Sequence, residues 1–309
     1  MNDGWFGFAA DVDRDDLCGR LYPGLGGGPH HGVLVLHGGG GGGGYERAYA
    51  RHLARHGYTA LCVEYFDAPA APDALSEVPL EYFERAAAWL ADRPDVDADR
   101  VGVVGFSRGG EAALLTGTHV DRVGAVVAYV PSAYAFAAPT WMDGVDEERS
   151  AWTVDGEPVP YLPVDRYVDQ EQEGLDEALG IDAPSAALRA VENAPEELLA
   201  RAAIEVECID GPVLLVSGGE DEAWPSVELA DQAVERLAAH DHPWPFENRD
   251  YPRAGHAIRV PYRFDGSDDP TANHWLGGTN EANACASADA WHAALDYLRC
   301  GLDERSGSE

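Results

Sequence analysis

Lysine is missing altogether: all 21 of the Lys and Arg class are arginine, set against 55 aspartates and glutamates. The formal charge of −34 is spread along the chain and not gathered in a tail. With no basic patch and no interleaving of basic and aromatic residues, nucleic acid is excluded as an expected partner. An acid excess of this kind is expected of a protein adapted to high salt, because at ~1 M salt the Debye length is only about 3 Å and carboxylate self-repulsion is screened. Cysteine is scarce as well. Cys18, Cys62, Cys208, Cys285 and Cys300 are odd in number, irregular in spacing and contain no C-x-x-C. That excludes a disulfide framework or a cysteine metal site and points to thiols kept reduced inside the cell. No apolar run approaches the ~20 residues of a membrane span, and the first 20 residues lack the basic and apolar regions of a secretory signal. The expectation is a soluble, cytoplasmic protein that acts on a small molecule, with no nucleic-acid or membrane partner.

What is present is an alternation of strand and helix signals, which argues for an α/β fold with a mostly parallel sheet covered by helices on both faces. Residues 32–37, 58–65, 101–104, 123–130 and 211–218 read as strands, and a last short strand ends at Tyr251. Residues 45–57, 80–93, 226–240 and 287–300 read as helices, with Gly57 and Pro94 as stops. The tail from Gly301 reads as frayed. From Pro131 to Glu207 the rhythm breaks: prolines, Trp141, Trp152, an Asp155-Gly156 hairpin turn and the acidic, helix-like run "DQEQEGLDEALG" suggest a cap or lid inserted at 131–207. The chain of 309 residues is otherwise expected to be one domain.

The stretch "VGVVGFSRGGEAALL" places Ser107 between Gly105 and Gly109, on a turn from a strand into a helix. G-x-S-x-G in that context suits a serine nucleophile on a sharp, strained bend, with the helix N-terminus favouring developing negative charge. Turns of this kind also hold phosphate, or nothing. A serine hydroxyl needs a base, and the base needs an orienting acid. Downstream, "VSGGEDEAWPS" offers Asp221, with Glu220 and Glu222 as alternatives, and "RDYPRAGHAIRVPY" offers His256. His52, His56, His119, His240, His242 and His292 fall on helices or loop edges and read as surface or packing. The order Ser107, Asp221, His256 resembles that of α/β-hydrolases. An oxyanion hole would use the N–H of Arg108 and that of Gly38 or Gly39, from the unbroken glycine run 38–44 after His37. No G-K-[ST] follows that run, so a nucleotide P-loop is disfavoured. The chemistry calls for no metal and no cofactor.

"LEYFERAAAWL", "GFSRGGEAALL", "GGEDEAWPS", "YPRAGHAIRVPY" and above all "GGTNEANACASADAWHAALDYL" resemble the catalytic domain shared by acyl-CoA thioesterases and bile acid-CoA:amino acid N-acyltransferases. The resemblance implies an α/β-hydrolase fold, acyl-CoA substrates and a triad on Ser107, Asp221 and His256. It departs in two ways. Family members often carry an N-terminal β-sandwich domain, and the residues ahead of the first strand, strand-like only at "CGRLYPG", are not expected to form one. And the family's amino-acid transferases use cysteine where Ser107 stands, so the resemblance implies hydrolysis before transfer. Arg108, Arg253, Arg259 and Arg263 are candidates to offset the charge of CoA. A dienelactone-hydrolase-like esterase or lactonase and an acyl-CoA acyltransferase are the alternative readings.

Overall fold

Five of the apolar runs form adjacent strands with both faces buried, as their lack of polar alternation requires. The computed structural model describes residues 9–145, 148–167, 186–262 and 276–303. Its strands are β1 (Ala10–Arg14), β2 (Leu17–Tyr22), β3 (His30–Leu36), β4 (Tyr58–Val63), β5 (Val78–Pro79), β6 (Val96–Phe106), β7 (Val123–Tyr129), β8 (Trp152–Val154), β9 (Glu157–Pro158), β10 (Val213–Gly218) and β11 (Phe246–Tyr251). Eight of them build one sheet in the order β1-β2-β4-β3-β6-β7-β10-β11. The β1–β2 and β2–β4 pairs are antiparallel and every later pair is parallel.

The helices are α1 (Tyr45–Arg55), α2 (Glu81–Ala91), α3 (Arg108–His119), α4 (Ala186–Asn193), α5 (Glu196–Ala202), α6 (Ser226–Ala239) and α7 (Asn280–Asp303). Alternate residues along the strands feed two cores. Leu34, Leu36, Val103 and Leu215 pack with α2, α3 and α6. Val33, Val35, Val104 and Val216 pack with α1 and α7, where Trp291 is fully buried. Each such side chain withdrawn from water stabilises the fold by roughly 1.5–3 kcal/mol. Gly57 closes α1 with φ +85°, the left-handed conformation that a glycine stop requires.

Segment 131–207 holds β8, β9, α4 and α5, and pairs β8 in parallel with β5 in a separate small sheet. The hairpin at Asp155 and Gly156 has φ of 50° and 77°, the doubly left-handed turn that matches strand twist. The acidic run at 169–180 lies outside the described residues, as do residues 304–309.

Besides β5, α4 and α5, which no strand or helix signal announced, three elements differ from expectation for a visible reason. β1 is an edge strand in which only Val12 is buried, so its acidic sequence hid the alternation. β6 starts at Val96, five residues before the expected 101, through a stretch whose aspartates interrupt the apolar run. α7 begins seven residues before the expected 287 and runs on through Gly301 to Asp303, where a frayed tail was expected. Its first turns are polar, and Asn283 and Ser287 are buried by hydrogen bonding and not by apolar contact. Among the described residues no helix is long and apolar enough to cross a membrane. Nor, among them, does any group of three or more His, Cys, Asp or Glu form a candidate metal site.

A Cβ at Gly105 would overlap the Gly109 carbonyl and lie 2.9 Å from Ala113 Cβ. Gly105→Ala is therefore expected to cost at least about 3 kcal/mol, since neither neighbour can yield without moving the sheet or α3. Denaturant unfolding in molar KCl would measure it, and a midpoint equal to wild type would refute the packing account.

Candidate active site

β6 ends at Phe106 and α3 starts at Arg108, so Ser107 alone carries the reversal, at φ 57° and ψ −121°. A non-glycine residue held in that region is strained and persists only where its surroundings over-determine it. Here Ser107 N–H donates to Tyr129 O at 2.8 Å. Gly109 lies so close to the end of β3 that a Cβ would overlap His37 O. Neighbouring Val130, at φ 42°, is a second strained residue. Its N–H donates to Val216 O and its carbonyl accepts the Trp224 indole N–H at 3.0 Å.

The structure brings Ser107, His256 and Asp221 together. His256 Nε2 lies 2.9 Å from Ser107 Oγ. His256 Nδ1 lies 2.8 Å from Asp221 Oδ2 and 3.0 Å from Oδ1. The Asp221 side chain is 1% exposed, and its Oδ1 also accepts the Ala223 and Trp224 amides. An acceptor-only carboxylate on Nδ1 fixes the tautomer that presents a bare Nε2 lone pair to the serine. The edge of Trp224 meets His256 at 5.9 Å between centroids. Glu220 and Glu222 are exposed beside Asp221. The His256 loop is pinned from α7: Asn283 Oδ1 accepts Gly255 N–H at 2.7 Å, and His256 N–H donates to Leu276 O.

Ser107 and His256 open on a cavity of about 1190 Å³, also lined by Gly39, Phe136, Trp141 and Trp224. Arg108 heads α3, so its N–H has no intrahelical acceptor. The glycine loop divides its donors. Gly38 N–H donates to Tyr45 Oη at 2.8 Å, whereas Gly39 N–H has no acceptor among the described residues. Gly39 sits against Arg108, where a Cβ would lie 3.3 Å from Arg108 Cγ.

Two features beneath the site were not anticipated. Arg108 Nη1 pairs with Glu111 at 2.9 Å, and its Nη2 donates to the Phe136 and Ala137 carbonyls. Glu111 is fully buried and accepts the Trp152 indole N–H at 2.6 Å and the Phe136 amide at 3.0 Å. Burial pushes the Glu111 carboxyl up from its ordinary range, while Arg108 and the two N–H donors pull it back. A lone carboxylate amid "EAALL" was the sequence signal for such a partner. Tyr45, read only as the first residue of a helix, is the second. Of the four candidate arginines, Arg108 is consumed by Glu111 and the carbonyls, Arg253 is exposed, Arg259 lines the cavity, and Arg263 lies outside the described residues.

His37, the residue just after β3, is 1% exposed. Its ring stacks on Tyr65 at 4.2 Å, and Nδ1–H donates to Gly38 O at 2.9 Å. Burial pushes its pKa down to about 4, against the smaller upward pull of the Gly38 carbonyl.

The family model described as "BAAT / Acyl-CoA thioester hydrolase C terminal" matches residues 78–304. Acyl-coenzyme A thioesterase 6 of Mus musculus is 31% identical over 289 residues, 90% of this chain and 61% of that protein. Acyl-coenzyme A amino acid N-acyltransferase 1 of Mus musculus is 29% identical over 302 residues, 96% of this chain and 66% of that protein. The chain therefore spans less than two thirds of the length of these relatives. Among solved structures, an α/β-hydrolase enzyme from a Medee basin deep-sea metagenome library matches with a TM-score of 0.54 at 16% identity, over 97% of this chain and 100% of that one. Likeness at that identity establishes the fold, an α/β-hydrolase, and nothing finer.

Unfolding exposes His37 to water, where its pKa returns towards 6.5. Between that value and about 4 the unfolded chain binds a proton that the folded one refuses, so stability falls as pH drops through the window. The expected loss from this residue between pH 7 and pH 4.5 is about 2.5 kcal/mol. Denaturant unfolding at both pH values should show wild type losing that much more than His37→Asn; equal losses would refute the assignment.

Proposed function

The chain belongs to the BAAT / acyl-CoA thioester hydrolase C-terminal family, and from that premise we propose that it is a serine hydrolase cleaving acyl-CoA thioesters to a free acid and CoA. The observation that carries the reading is the unbroken relay of Ser107, His256 and Asp221, at 2.9 and 2.8 Å, opening on one large cavity. Ser107 Oγ gives its proton to His256 Nε2 as it attacks the acyl carbonyl. Asp221 holds the imidazole and stabilises the imidazolium. The N–H groups of Arg108 and Gly39 receive the oxyanion, Gly38 being engaged by Tyr45. Collapse of the tetrahedral adduct expels the CoA thiolate, which His256 protonates. Water, deprotonated by His256, then cleaves the acyl-enzyme and releases the acid. Phe136, Val164 and Trp224 supply an apolar wall for the acyl chain, with residues 136–141 and their neighbours at Val164 and Ala186 acting as the lid.

Two further features shape the reading. A serine at 107 is the nucleophile of the hydrolytic branch that the sequence resembles, so water is the proposed acceptor. A chain of charge −34 repels a polyanionic thioester at low salt, and we place its working range at molar salt, where that repulsion reaches only a few ångströms.

Thiol release from a series of acyl-CoAs in multimolar KCl tests the proposal. Ser107→Ala is expected to lower turnover by about 10⁴-fold or more while leaving the unfolding midpoint near wild type. Release that is absent, or equal in the two proteins, would reject CoA thioesters as substrates.

A further inference from the structure

The Gly38 amide, which sequence reasoning aimed at the substrate, ends on a phenol. A tyrosine hydroxyl has one hydrogen to give and lone pairs to accept with. Tyr45 Oη spends a lone pair on Gly38 N–H at 2.8 Å, and its own hydrogen has no acceptor among the described residues. The side chain lines the same cavity as Ser107, Arg108 and Gly39. A Cβ built on Gly38 would lie 2.8 Å from Tyr45 Oη and 3.4 Å from Ser107 Cβ, so hydroxyl and nucleophile crowd the same face of that glycine. The absence of a side chain at 38 is what admits the hydroxyl there.

The ring has little freedom. Its edge meets Phe106 at 5.2 Å and 76°, and the Arg259 guanidinium covers its face at 4.4 Å. Burial pushes the phenol pKa up, so the group stays protonated, and Arg259 and the Gly38 amide pull electron density away from its O–H bond. A donor fixed in this way before reaction costs no reorganisation when charge develops.

Resting on the thioester-hydrolase reading above, we propose that the Tyr45 hydroxyl donates a hydrogen bond to the oxyanion formed when Ser107 attacks, beside the amides of Arg108 and Gly39. Gly38 then acts on the reaction through Tyr45. Tyr45 forms no covalent bond and transfers no proton; it stabilises the tetrahedral adduct and leaves the ground state alone. The role differs from that of a brace for the glycine loop, which would hold every ligand equally.

The test is Tyr45→Phe, read with two ligands: an alkyl trifluoromethyl ketone, which adds to the serine as an oxyanion, and the matching S-alkyl thioether of CoA, which has no carbonyl. Loss of one oxyanion donor is expected to lower kcat/KM, and to weaken the ketone, by about a hundred- to thousandfold. The thioether Kd should not change. Equal loss for both ligands, or wild-type turnover in the variant, overturns the proposal. If the variant fails to fold, 3-fluorotyrosine at position 45, a stronger donor of the same shape, should tighten the ketone severalfold relative to the thioether, and an unchanged ratio overturns it. Labelling by a fluorophosphonate separates the two failures. Wild type labelled while Ser107→Ala is not leaves the hydrolase reading standing even where Tyr45 is overturned; wild type unlabelled removes both.

Discussion

The site depends on a place where three chain segments meet with no side chains between them. Gly105 at the end of β6, Gly109 in the first turn of α3 and the carbonyls of Leu36 and His37 approach closer than any Cβ would allow. That contact lets the strand reverse into the helix within one residue, and so forces Ser107 to φ 57°. The strain is local and its support is distributed: the Tyr129 carbonyl, the β3 terminus and the helix all hold the bend. From the same contact follow the height of the serine above the sheet, the free N–H at the head of α3 and the proximity of the glycine loop. The bend at Ser107, the head of α3 and the placement of the glycine loop are one packing solution here.

The charge economy of the molecule changes on going inward. Outside, arginines pair with aspartates and glutamates in exposed geometry, as Arg14 does with Asp16, contacts worth little individually. Inside, Arg108 and Glu111 are withdrawn from water together, and their remaining bonds reach Trp152 and residues 136–137. Such a pair is a poor source of net stability. Its effect is geometric, because it ties the residue after Ser107 to the segment that forms the cavity wall.

Much of this arrangement was legible in the sequence. Buried parallel strands are read from apolar runs, so β4, β7 and β10 stood out, and Asp155-Gly156 announced its turn. The three residues of the relay could be picked because each follows a strand and a tight turn. What escaped had its cause in polar packing. The first turns of α7 are buried by the bonds of Asn283 and Ser287, which leave no apolar period to detect. β1 shows one buried residue in five. Glu111 and Tyr45 matter through partners far away in the chain or hidden by the glycine run, and no spacing rule marks them. Gly38 and Gly39 are equivalent as letters; only the position of a phenol distinguishes their amides.

α7 serves two structures at once. Trp291 and Leu298 close one face of the sheet, while Asn283, two turns before Trp291, holds the backbone just ahead of His256. Proteins open in cooperative pieces, each with its own free energy, and a terminal helix is a natural piece. Any opening that carries Asn283 away also removes the bond that holds Gly255, the residue before His256. The position of His256 is thus tied to the opening free energy of a single helix, and amide exchange along α7 reports how often the molecule is folded with that imidazole set loose.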